Sequence, residues 1–155
     1  MTGDVLSGGV ALVALLCTGV AAGVLFAVAV SVVPALAALP PDRYVETHKL
    51  LGRNWDPTMP IIVLTATAGH LTLVAVADGA ADRVLSGVAA ALMLGTAAVS
   101  HLLNVPLNRA VKALDPALGV GPGWFDPRPR WRRFHLVRTA FAVLGFACAA
   151  LAVVT

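Results

Sequence analysis

Three short stripes of polar and aromatic residues hold the groups that can do chemistry in this chain. His101, Asn104 and Asn108 stand at i, i+3 and i+7, and Trp131, His135 and Arg138 at i, i+4 and i+7, so each set falls on one face of a helix. Tyr44, His48, Leu51 and Trp55 follow at i, i+4, i+7 and i+11. An imidazole titrates near neutral pH and can act as a general base, while amide and guanidinium donors can steady a developing oxyanion where water is excluded. Three imidazoles, His48, His101 and His135, could instead hold copper, iron or zinc with a position left open. The plainest alternative is interhelical glue, worth about 0.6 kcal/mol per hydrogen bond within a membrane.

The elements that must carry these stripes are membrane helices. Hydrophobic residues make up 59% of the 155 residues and charged residues 12%, more apolar surface than a soluble core of this size can hide. Crossing a bilayer takes roughly 20 apolar helical residues, and such stretches lie near 6–33, 58–78, 84–106 and 132–154. The expected fold is all-α: a four-span bundle forming one domain, with a short interfacial helix after the first span and a Gly/Pro-rich loop before the fourth. Asp4 stands where a secretory signal would carry basic residues, so the first stretch reads as an uncleaved span.

The breakers refine this outline. Pro34 is expected to bend the end of the first span, and Asp42 to cap the interfacial helix whose one face carries Tyr44, His48, Leu51 and Trp55. Asp56-Pro57 reads as N-cap and first residue of the second span, and Asp78-Gly79 as its end. The stretch from Asp115 to Pro129 is too rich in Gly and Pro for regular structure. Gly19 and Gly23 have the spacing of a close helix contact. No long internal repeat is evident.

Lys and Arg set the expected orientation. Arg43, Lys49 and Arg53 follow the first span, and Arg109, Lys112, Arg128, Arg130, Arg132 and Arg133 follow the third, against Arg83 alone in the remaining loop. The positive-inside rule puts both long loops in the cytoplasm, both termini outside, and the protein in the plasma membrane. The net charge of +3 is thus a topology signal and gives no support for nucleic-acid binding; the basic segment can rest on anionic lipid. Cys17 and Cys148 read as buried packing thiols. All three stripes then gather at the cytoplasmic mouth, with the interfacial helix as a lid. His70, roughly 20 Å along its helix, reads as glue beside Thr67 and Thr72, and its offset from His101 of about 15 Å disfavours a haem between them.

The order of these features resembles the anthrone oxygenase-like family of small four-helix membrane proteins. The resemblance rests on Val33-Pro34-Ala35-Leu36 closing the first span, Asn54 before the second, and Asn104-Val-Pro-Leu-Asn108 closing the third. Trp131-Arg-Arg-Phe-His135-Leu-Val-Arg138-Thr139 opens the fourth. It implies oxidation of an anthrone, or a similar aromatic polyketide-type substrate, with O₂ as co-substrate and apparently without flavin or haem. In that setting His101 or His135 would be the base, and Asn104, Asn108 and Arg138 the donors to the enolate or peroxide. Tyr44, His48, Asn54, Trp55, Trp131 and Phe134 would hold the substrate. A non-catalytic scaffold or transporter-associated subunit is the second reading. It predicts stripes that point apart, whereas the oxygenase predicts a cavity between the second, third and fourth spans. Small-residue faces also suit a homo-oligomer.

Overall fold

The computed structural model describes residues 2–121 and 123–154. It is all-α, and four of its helices are long and apolar enough to cross a membrane: Leu6–Ala38, Thr58–Val76, Ala80–Lys112 and Arg128–Val154. The chain is an integral membrane protein by this architecture. Each span packs on two neighbours, first on second, second on third, third on fourth and fourth on first, closing a ring. Because the spans alternate in direction, the segments 39–57 and 113–127 lie together at one end, the mouth.

The first and third spans run further into the mouth than their prolines suggest. A helical proline lacks an N–H and its ring collides with the carbonyl four residues back. Here those carbonyls, of Val30 and Leu102, lie in single π turns, Val28–Val32 and Ser100–Asn104. The amide of Val33 reaches Val28 O and that of Val105 reaches Ser100 O, the i→i−5 pattern that widens the turn ahead of Pro34 and Pro106. The helices therefore continue to Ala38 and Lys112. Leu39 then turns extended (φ −75°, ψ 146°) because Pro40 follows it.

These two π turns expose a repeat that the sequence hides. They are related by a shift of 72 positions (Val28 to Ser100), and the same shift pairs several buried positions of the two helical hairpins. Ala14, Thr18 and Ala21 answer to Ser86, Ala90 and Met93, and Val63, Thr67 and His70 to His135, Thr139 and Ala142, all buried. Thr67 and Thr139 even make the same bond, each hydroxyl donating to the carbonyl four residues back at 2.8 Å.

Close helix contact depends on missing side chains. A Cβ on Gly69 would stand 2.8 Å from that of Ala14, which holds the first and second spans together. Gly19 does approach the fourth span, where its Cβ would meet Phe146 at 3.0 Å, whereas Gly23 is exposed and open.

At the mouth the interfacial helix spans Pro41–Leu51 and turns Tyr44, Val45 and His48 inward. With Leu36 and Val111 two of these, Tyr44 and Val45, form a buried cluster joining the ends of the first and third spans. Two expectations change here. Asp42 does not cap the helix, which begins after Pro40 without a side-chain cap; its carboxylate accepts from Val120 N–H at 3.0 Å and so pins the long loop. The helix also stops at Leu51, so Trp55 leaves the Tyr44 face, and both Leu51 and Trp55 are exposed. The second span begins at Thr58 rather than Pro57, after a cis Asp56–Pro57 bond, and has no side-chain cap. Within the loop, Pro116–Leu118 forms a 3₁₀ turn held by Asp115, ended by Gly119 at φ 68°, a conformation that favours glycine.

Candidate functional site

The mouth contains a continuous file of rings. Tyr44 lies 5.4 Å from His48, His48 meets the edge of Trp131 at 5.7 Å, and Trp131 stacks on His135 at 5.1 Å with only 11° between planes. Trp124 joins from the loop, 6.4 Å from Tyr44. The file lies along the seam between the first and fourth spans, under the interfacial helix. Trp131 is fixed at both ends: its indole N–H donates to Asn108 Oδ1 at 2.9 Å, and its carbonyl accepts from Asn104 Nδ2 at 3.3 Å.

His135 is fully buried and both its nitrogens are occupied. Arg138 donates to Nδ1 through Nε (3.2 Å) and Nη2 (2.9 Å), while Nε2 lies 3.0 Å from Leu25 O. A guanidinium only donates and a carbonyl only accepts, so the proton sits on Nε2 and the ring is neutral. Arg138 also donates from Nη1 to Ser100 Oγ at 3.2 Å. The single lone pair of His135 is thus capped, and the group bridges the fourth, first and third spans.

His48 is the imidazole left with a different environment. Burial holds its pKa below the usual 6.5, Lys112 acts in the same sense, and a side-chain hydrogen bond with Asn108 opposes them. Tyr44 is buried too, and its hydroxyl has no hydrogen-bond partner. Burial first, then the nearby Asp126 carboxylate, push its pKa up to about 12, against a smaller lowering by Arg128. Asn104 Oδ1 is a second buried atom without a partner at this end.

Arg128 closes the seam. It donates to Leu39 O at 2.6 Å and more weakly to the carbonyls of Leu36 and Ala37, satisfying the open end of the first span. Its guanidinium pairs with Asp126 at 2.7 Å and lies over the rings of Tyr44 (5.1 Å) and Trp124 (5.8 Å). Lys49 does the same for the third span, donating to Leu114 O at 2.8 Å.

The chain from residue 47 to residue 148, well over half of it, matches the anthrone oxygenase family. This chain is a member of that family. Curated proteins and solved structures gave no match. The matched stretch of this anthrone oxygenase family member contains His48, Asn104, Asn108, Trp131, His135 and Arg138, and stops short of Tyr44 and the first span.

Not all of the expected site assembles. His101 is exposed on the outer face of the third span, because the π turn at Ser100–Asn104 breaks the spacing that would align it with Asn104. Asn54 and Trp55 are exposed in the turn before the second span, and Phe134 is half-buried. The metal set His48, His101 and His135 does not converge: His101 faces outward, His135 has no free nitrogen, and the indole of Trp131 stands between His135 and His48. Among the described residues no other group of three His, Cys, Asp or Glu is close enough to hold an ion. The sequence gives Asp126 and Arg128 no part in the site beyond their place in a long charged loop, and none to Leu25, which acts through its carbonyl. The cavity at this end lies between the first and fourth spans rather than among the second, third and fourth.

His70 stands apart, deep between the first two spans. Thr18 gives its hydroxyl proton to Ala14 O (2.7 Å), so the 2.9 Å contact with His70 Nε2 is an N–H donated to Thr18.

Proposed function

We propose that this mouth oxygenates a planar aromatic carbonyl compound of the anthrone type with O₂. Family membership supports the reaction class, and one observation carries the residue assignment: of the three imidazoles at this end, His48 is the one neither turned outward nor capped by a cation. An anthrone carries an acidic methylene. Removal of one proton by neutral His48 gives a delocalised enolate, which transfers an electron to O₂; recombination forms a carbon–oxygen bond and a hydroperoxide. Loss of water then leaves the second carbonyl. The methylene and O₂ become a ketone and H₂O, so four electrons go to oxygen and no external reductant is consumed.

Asn108 orients both His48 and Trp131, the unpartnered Asn104 Oδ1 offers an acceptor for a substrate hydroxyl, and Trp131 supplies a flat wall. Arg138 and His135 act as the rigid backing of that wall. The apolar bundle concentrates both O₂ and a greasy substrate, and the basic residues of the mouth favour the cytoplasmic leaflet of the plasma membrane by the positive-inside rule.

The test is O₂ uptake by the purified protein in lipid nanodiscs with an anthrone. The expected result is one quinone formed per O₂ consumed, with no accumulating hydrogen peroxide. A folded protein that leaves the background oxidation rate unchanged would overturn the proposal.

A further inference from the structure

A cavity of about 250 Å³ opens between the ends of the first and fourth spans. Leu36 and Ala37 form one side and Pro129 and Trp131 the other, with Tyr44 and Asp126 between them. Ala37 and Pro129 are exposed, and both belong to the ends of membrane helices. The cavity therefore opens to the surface beside the ends of these two helices. Much of the wall is apolar or aromatic, Asp126, Arg128 and Arg132 add charge to the lining, and Trp131 presents an indole already locked in place by Asn108 and by stacking on His135.

Tyr44 makes this cavity more than a gap. Its side chain is 1% exposed, and its hydroxyl, which feels the charges of Asp126 and Arg128 on the same cavity, has no partner. A buried hydroxyl is nearly always hydrogen-bonded in a finished structure. The neighbouring guanidinium of Arg128 cannot serve it, being committed to Asp126 and to the carbonyls of the first span. Since the phenol keeps its proton throughout the neutral range, it is a donor waiting for an acceptor.

We infer that this slot is where a flat aromatic ligand leaves the bilayer and docks, its carbonyl or phenolate oxygen accepting a hydrogen bond from Tyr44. The inference rests on the oxygenase reading for its consequence: docking there brings the ligand against Trp131 and Tyr44, the two rings that flank His48. It also assigns selectivity. A phenol donor favours ligands with an acceptor oxygen over hydrocarbons of the same shape.

The experiment compares anthraquinone with anthracene as probes, followed by quenching of tryptophan fluorescence in nanodiscs, for wild type, Tyr44→Phe and Ala37→Trp. Wild type is expected to bind anthraquinone about tenfold more tightly than anthracene, the value of one hydrogen bond. Tyr44→Phe should remove that preference while leaving thermal stability unchanged or higher, because the hydroxyl has no partner in the protein. Ala37→Trp, at an exposed position that tolerates bulk, should abolish binding of both. Equal binding by all three proteins, or no preference in wild type, overturns the slot. Anthrone-dependent O₂ uptake on the same samples separates the two ideas. Turnover with Tyr44-independent binding removes the slot alone, and Tyr44-dependent binding without turnover removes the oxygenase reading alone.

Discussion

At the scale of residues, the mouth divides its imidazoles by the partners each is given. His135 has its lone pair covered by Arg138 and its proton on Leu25 O, so taking up a proton would set two cations against each other. His48 keeps a neutral ring through burial. With its pKa below 6.5, the base form predominates at neutral pH and is lost as pH falls through the lowered value. Turnover should accordingly hold from pH 7 down past 6.5, with an acid limb in kcat/KM below that point; a limb at or above 6.5 would show that His48 is not the base. Tyr44 gives a direct optical check, since it is the single tyrosine of the chain. Its phenolate absorbance should appear only near pH 12 in the folded protein, against 10.0 for an unperturbed phenol. The sign follows: folding favours the protonated form, so this stabilisation is present below pH 10 and fades as pH climbs toward 12. The sequence made His48, His135 and Tyr44 legible as candidates from their spacing. It could not reveal that Arg138 would cap His135, because that depends on a rotamer, or that Leu25 would matter through an atom every residue has.

At the scale of elements, periodicity carried the spans and failed where the helix itself changed pitch. The four apolar runs were legible from hydropathy alone, whereas the inward face of the third span was not. A π turn inserts about one residue into the repeat, and His101, read at α spacing, falls on the wrong side. Capping signals were equally treacherous: Asp42, a good cap by type, binds the loop instead. Helix contact yields a firm prediction. Gly69→Ala raises intrinsic helix propensity by about 1 kcal/mol, yet its Cβ meets Ala14 at 2.8 Å, so overpacking of about 1–3 kcal/mol should win. A lowered melting temperature in detergent is expected; a raised one would show that the two backbones separate freely. Arg128→Ala removes the bonds that close the first span and should cost about 1–3 kcal/mol, seen as earlier cleavage by protease in the segment 113–127.

At the scale of the whole molecule, two similar hairpins enclose two different seams. Where His135 of the fourth span meets Leu25 of the first, the matching position of the second span is Val63, packed with Ala21, Met93 and Ala97 in an apolar cluster. One seam is furnished and the other is sealed. The repeat escaped notice in the sequence because apolar residues replace one another freely on buried faces, leaving only the two Val-Pro pairs and the paired threonines as traces. On the proposed reading the reaction belongs to the seam between the first and fourth spans, next to His48, while His101 is exposed on the outer surface. The most direct test is anthrone-dependent O₂ consumption by His48→Gln and His101→Ala in nanodiscs, with folding verified by thermal melting. The account predicts a loss of about 10²- to 10⁴-fold for His48→Gln, the usual worth of a general base, and near wild-type turnover for His101→Ala. Full activity in His48→Gln, or its collapse in a well-folded His101→Ala, would contradict it.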